Sequence, residues 1–179
     1  MKSFAPICAL LFCAGCASTP TPARTPGVIP PVSGEPRALS GIRVIDIAIG
    51  TGTPYAPRKC IYTHYTGWLE DATKFDSSRD TLPNGMAMEP VSFAQGAKRV
   101  MDGWEVGFDG MRVGGKRRLF VPYQLGYGAK GNPPVIPSRA ALVFDVELMA
   151  VADTLRRPSS FRSSGGPLCP PWASVSTSG

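Results

Sequence analysis

The sequence predicts an α+β domain in which an antiparallel sheet packs on one short helix, held between two extensions that lack any apolar period. Three observations predict it: β-branched and aromatic segments recur between residues 42 and 151, one stretch has helical spacing, and both ends are rich in Pro, Ser and Thr.

The elements follow in order. Ile42-Arg43-Val44-Ile45-Asp46-Ile47 alternates apolar and polar, and Gly50-Thr51-Gly52-Thr53-Pro54 turns the chain. Lys59 to Leu69 is a strand by its content of Ile61, Tyr62, Thr63, Tyr65 and Trp68. Lys74 to Ser77 and Lys116 to Val121 are shorter strands. Ala141 to Val151 is the strongest, with Leu142, Phe144, Val146 and Leu148 on one face. The helix is expected over Ala97 to Gly107, where Val100, Met101 and Trp104 recur at helical spacing and Gly107 and Gly110 end it.

Composition narrows the function. The chain has 179 residues, one domain plus extensions. Its net charge of +6 divides into +2 before Leu39 (Lys2, Arg24, Glu35, Arg37) and +3 after Leu155 (Arg156, Arg157, Arg162), leaving about +1 for the middle. A nearly neutral domain has no basic footprint for nucleic acid.

The first residues read as a secretory signal: Lys2, an apolar run from Phe4 to Phe12, then Cys13-Ala14-Gly15-Cys16. The run is too short to span a bilayer, which needs ~20 residues. It resembles a bacterial lipoprotein signal over residues 1–15, cleaved before Cys16, which would become the acylated anchor. Cleavage after Ala17 is the alternative. The residue after Cys16 is Ala17, not an acidic one, so the resemblance suggests the outer membrane of a bacterial envelope. Residues 16–40 read as a Pro-rich spacer and residues 154–179 as a disordered tail. Cys8 and Cys13 leave with the signal, and Cys60 and Cys169 are then the only possible pair. Because Cys169 lies in that tail, no structural disulfide is expected.

Two blocks carry chemistry. One is Gly103 to Leu148, which frames Trp104, Tyr127, Ile136 and Phe144 in glycines and prolines; the other is HYTGWLEDATKFDSSRD, His64 to Asp80. Aromatic residues without a titrating pair suit a pocket that grips by apolar contact. Taken alone, an aromatic on a helix or strand is usually plain core.

Together the blocks resemble the FKBP-type peptidyl-prolyl cis-trans isomerases, over a domain of residues 41–153. The resemblance implies a curved antiparallel β-sheet wrapped around one short α-helix, and rotation of X-Pro bonds in proline-containing polypeptides without cofactor or metal. It implies that macrolide inhibitors of the family could bind. It makes Trp104 the floor of the proline pocket and Tyr65, Phe75, Val100, Met101, Tyr127 and Phe144 its wall. Asp76 becomes the carboxylate at the rim, Ile136 a residue of the loop over the site, and the Tyr127 hydroxyl a donor at the mouth. The chain departs from the pattern at Val91, where an aromatic wall residue is usual, and in the longer connection Thr81 to Pro90. Asn132 and Pro134 vary the loop before Ile136. A binding module that grips proline segments with little turnover is the alternative function.

Two further patterns carry nothing. Gly126-Tyr127-Gly128-Ala129-Lys130-Gly131 fits G-x-G-x-x-G, but Pro133 and Pro134 follow where a dinucleotide site needs a helix. His64 is the only histidine, and one His cannot build a multi-His metal site.

Overall fold

The computed structural model describes residues 27–155 and 168–175. The expected signal at residues 1–15 and the expected acylation site, Cys16, lie outside them.

Seven strands form one antiparallel sheet: β1 (Arg37–Leu39), β2 (Ile42–Ala48), β3 (Cys60–Leu69), β4 (Lys74–Ser77), β5 (Val91–Ala94), β6 (Lys116–Val121) and β7 (Leu142–Ala152). Their order is β1-β2-β6-β7-β3-β4, and β5 also pairs with β3. The long strand β3 therefore lies between β7 on one side and the two short strands β4 and β5 on the other. One helix, α1 (Asp102–Gly107), packs on the sheet. The core between them holds Val44, Ile61, Trp104, Phe108, Leu119, Phe144 and Leu148. This is the curved antiparallel sheet around one short helix that the sequence implies.

The helix can approach the sheet because of its glycines. A Cβ on Gly103 would stand 2.5 Å from Val121 Cγ1, and one on Gly107 would stand 2.7 Å from Leu119 Cδ1. Any side chain there would push α1 off β6. Arg117, buried in β6, closes the other end: its Nη1 donates to the carbonyls of Gly107 and Asp109, each at 2.8 Å. Those are carbonyls that a helix end leaves unpaired, and a cation there also suits the helix dipole. The Nε of Arg117 donates to Asp46 Oδ1 at 2.5 Å.

Several expectations need correction. The helix starts at Asp102, five residues later than the spacing suggests. Gly96 and Lys98 have left-handed backbone (φ 81 and 54), which no helix tolerates. Their N–H groups instead donate to the buried Glu105 carboxylate, at 2.7 and 3.0 Å. A strand the pattern did not announce, β5, follows the long connection. The spacer expected through residue 40 gives way to structure earlier, because Arg37–Leu39 pairs with β2 as β1.

The tail departs most. Leu155 and Leu168 form an isolated antiparallel bridge. Cys60 and Cys169 form a disulfide, with Cα atoms 5.4 Å apart. Tyr62 donates its hydroxyl to the Pro170 carbonyl at 2.6 Å, and its ring meets Trp172 at 5.6 Å. Residues 168–175 are thus packed structure on β3 rather than a disordered end. The apolar faces of Tyr62, Ala94 and Ala150 give them something to bury. The rest of the tail lies outside the described residues.

Candidate functional site

The aromatic cluster begins with Trp104, which points from α1 into the concave side of the sheet and is 4% exposed. Tyr65 on β3 stands edge-on to it, with ring centroids 5.0 Å apart at 80°. Phe144 on β7 is 5.5 Å away at 81°. Phe75 on β4 meets Phe144 at 5.6 Å and 89°. Edge-to-face pairs of this kind hold rings in fixed relative positions. The sheet registers explain the convergence: Gly67 opposes Phe144 on one side and Asp76 on the other. Gly67 is required there, since a Cβ would lie 2.7 Å from Phe75 Cζ and 2.9 Å from Phe144 Cε1.

The polar groups are few. The Tyr65 hydroxyl donates to Asp76 Oδ2 at 2.5 Å. Burial, reinforced by the bond to Asp76, pushes the Tyr65 hydroxyl well above its usual value. Tyr127 is also shifted up, by burial and by the charge of Asp76, which places its ring within electrostatic reach of that carboxylate. Both hydroxyls therefore stay protonated and able to donate. Among the described residues no acceptor reaches the buried indole N–H of Trp104. An unspent buried donor is uncommon, and this one lies in the floor of the cluster.

The structure thus brings Tyr65, Phe75, Asp76, Trp104 and Phe144 together by direct ring contact or hydrogen bond, and the Asp76 charge reaches the Tyr127 hydroxyl. Val100 and Met101 immediately precede α1 and are half-buried against the same core. Ile136 is buried in that core as well. Its loop is closed by Asn132 and Ile136, whose backbones exchange hydrogen bonds at 2.9 Å. Tyr127 is 40% exposed, as suits a residue at a mouth.

Sequence reasoning missed the backing of the floor. Phe93 on β5 meets Trp104 at 6.0 Å, and Phe108 meets it at 6.1 Å. Phe93 stands two residues beyond Val91, so the strand period of two could have found it. Val91 itself is half-buried in β5 and lines an outer groove with Arg99, Val100, Leu168 and Cys169. Glu105 was also missed: by holding Gly96 and Lys98 it fixes the segment that delivers Val100 and Met101. No local pattern announces a buried acid of that kind. His64 lies near Ser78 (3.0 Å), with its ring shifted down by burial and by Arg79. It lines a cavity beneath Pro30 and Pro31, away from Trp104.

Comparison with known proteins agrees with this arrangement. Residues 53–149 match the FKBP-type peptidyl-prolyl cis-trans isomerase family. The chain is 44% identical over 113 residues to an FK506-binding protein of Neisseria meningitidis serogroup B, covering 63% of this chain and 98% of that one. It is 42% identical over 116 residues to peptidyl-prolyl cis-trans isomerase FKBP2 of Mus musculus, covering 62% and 79%. Among solved structures, AtFKBP13 superposes with a TM-score of 0.57 at 32% identity, covering 66% of this chain and all of that one. A peptidyl-prolyl cis-trans isomerase from Pseudomonas syringae pv. tomato gives a TM-score of 0.56 at 30% identity, covering 66% and 81%.

Proposed function

The chain belongs to the FKBP-type peptidyl-prolyl cis-trans isomerases, and we propose that it turns X-Pro bonds by seating the proline ring on Trp104, inside the walls made by Tyr65, Phe75 and Phe144. The barrier to peptide rotation is roughly 18–20 kcal/mol, because the C–N bond has partial double-bond character. That character separates charge, and water stabilises the planar, polarised amide. An apolar site that excludes water withdraws this stabilisation from the planar state and favours the twisted, less polarised one. No proton has to move. The chain's residues bind, orient and desolvate: Val100, Met101 and Ile136 complete the apolar surround, and the Tyr127 hydroxyl donates to a substrate carbonyl at the mouth. Asp76 holds the Tyr65 ring in place.

The observation that carries this reading is the orthogonal packing of Tyr65 and Phe144 against Trp104, at 5.0 and 5.5 Å, in a region with one carboxylate and no acid–base pair. The experiment is the rate of cis-to-trans conversion of a short X-Pro peptide by the full chain, with Trp104→Ala and Phe144→Ala beside it. A large acceleration that both variants lose is expected. Activity within about twofold of wild type in a folded Phe144→Ala variant would overturn the site. The same site is proposed to take macrolides such as FK506.

We infer further that the substrates are proteins of a bacterial envelope, reached from a lipid anchor at Cys16 in the outer membrane, facing the periplasm. The Cys60–Cys169 disulfide supports an oxidising compartment. Acylation at one cysteine with several chains would hold the protein stably. Cys16→Ser should release the protein from the membrane fraction; continued lipid labelling of that variant would sink the anchor.

A further inference from the structure

Tyr65 stands where β3 has no strand beside it on one edge. β4 pairs with Thr66 to Trp68 and β5 pairs with Cys60 to Thr63, so that edge is open at His64 and Tyr65. Ser78, the first residue after β4, fills the gap. Its N–H donates to the Tyr65 carbonyl at 3.0 Å, and its Oγ accepts from the Tyr65 N–H at 2.8 Å. Ser77 Oγ adds a bond to the same carbonyl at 3.1 Å. Ser78 is 1% exposed, so the main chain of Tyr65 depends on this residue for its partners.

The other partner of the Ser78 hydroxyl is His64 Nδ1, at 3.0 Å. A hydroxyl has one proton to give and two lone pairs to fill. The Tyr65 N–H fills one lone pair. A neutral imidazole with Nδ1 bare accepts the Ser78 proton, and all these contacts are satisfied. A protonated imidazole carries hydrogen on Nδ1 and has to donate to Oγ instead. The Ser78 proton then turns away, toward a Tyr65 carbonyl that is 3.4 Å distant and already accepts two bonds. That distance is long for a hydroxyl donor.

The surroundings resist such a proton. Because neighbours on a strand face opposite ways, His64 points to the side of the sheet away from Trp104. There it lies in a cavity under Pro30, Pro31 and Val32, which bring no charge; Ile47 of β2 brings none either. The charged lining is Arg79, Lys116, Asp145 and Glu147. Glu147, opposite His64 on β7, holds both Arg79 and Lys116. Asp145 holds Arg118 through both oxygens, at 2.6 and 2.7 Å. Each acid facing the ring is therefore committed, and one more cation finds no carboxylate free. Burial and the Arg79 charge accordingly hold the imidazole below its ordinary range.

We propose that Ser78 and His64 are positioning residues for the reaction: neutral His64 takes the Ser78 proton, Ser78 holds the main chain of Tyr65, and acid undoes the setting. This rests on the reading of Tyr65 as a wall of the proline site. Turnover is thereby tied to one titrating group on the opposite side of the sheet, and it slows when the surroundings turn acid.

The test is the pH profile of kcat/KM on a short X-Pro peptide without ionisable side chains. It is measured by NMR exchange for the full chain, Ser78→Ala, His64→Asn and Trp104→Ala, with circular dichroism to check folding at each pH. Wild type is expected to hold a plateau above neutrality and to lose roughly three- to tenfold in acid, the effect of about one hydrogen bond. The midpoint should lie below about pH 6.5, the ordinary histidine value. His64→Asn keeps an acceptor near the place of Nδ1 and takes no proton, so its profile should stay flat near the wild-type plateau. Ser78→Ala should lie roughly three- to tenfold below that plateau at every pH. A wild-type profile flat down to about pH 5, an acid limb surviving in His64→Asn, or Ser78→Ala at the wild-type plateau overturns the proposal. The Tyr65 amide resonance gives a readout apart from catalysis: it should titrate with acid in wild type and stay fixed in His64→Asn. Failure of the underlying reading has a different signature, since Trp104→Ala would then match wild type while this titration still decides whether His64 governs the setting of Tyr65.

Discussion

Tyr65 and Asp76 sit on neighbouring strands, and the hydroxyl of one donates to the carboxylate of the other at 2.5 Å. The bond fixes the angle at which the Tyr65 ring meets Trp104. It also gives the carboxylate a partner at the rim of an apolar floor.

Tyr65→Phe keeps the ring and removes the tie. A side-chain hydrogen bond to a charged group contributes about 1.5–3 kcal/mol where it is buried, and less at this partly exposed position. Stability should fall by about 1 kcal/mol or less, read from the urea midpoint. Peptide turnover should fall by roughly three- to tenfold, because the ring loses its fixed setting. Unchanged turnover would show that Asp76 does not act through Tyr65.

The pH profile of kcat/KM should be flat from neutral pH up to about pH 10. Both hydroxyls at the site, Tyr65 and Tyr127, are pushed above their ordinary value by burial first and by Asp76 second. A raised tyrosine keeps its proton longer, so a basic limb caused by either must lie above the unshifted range. A loss of activity centred below about pH 9 would contradict that assignment.

Gly67→Ala tests the packing of the walls. The new Cβ meets Phe75 Cζ at 2.7 Å and Phe144 Cε1 at 2.9 Å. Phe75 is half-buried and can swing, whereas Phe144 is enclosed. A loss of about 1–3 kcal/mol in unfolding free energy is expected, with a several-fold drop in peptide turnover. Wild-type activity in a destabilised variant would uncouple these walls from the reaction.

Cys169→Ser should cost about 2–5 kcal/mol, because Cys60 and Cys169 are 109 residues apart and the cross-link restricts the unfolded chain. Dithiothreitol should lower the melting temperature of wild type to that of the variant and leave the variant unchanged. Reductant sensitivity persisting in Cys169→Ser would assign the effect elsewhere.

Much of this architecture is legible in local sequence. The long strands β2, β3 and β7 declare themselves by alternation, and the blocks His64 to Asp80 and Gly103 to Leu148 contain most of the aromatic cluster. What escapes is held by partners distant in the chain. The helical period shared by Val100, Met101 and Trp104 predicts a start at Ala97, yet Glu105 captures the backbone of Gly96 and Lys98 and holds them as a loop. Leu168 to Val175 has a composition that looks unable to order itself. It orders because Tyr62 and Cys60, more than a hundred residues earlier, supply a ring, a hydroxyl and a sulfur. β1 is three residues long and exists only through its register with β2. No window of neighbouring residues contains that information.

The Cys60–Cys169 link also decides how the molecule would bear load. A pull applied at the C-terminal end would enter the domain at Cys60, at one end of β3, rather than at the last residue of β7. Strand β3 is flanked by partners on both sides, so it cannot be stripped away one bond at a time from an open edge. The stitch moves the point of traction from the end of β7 to the start of β3, so the load falls on the strand that pairs with β7 on one side and with both β4 and β5 on the other.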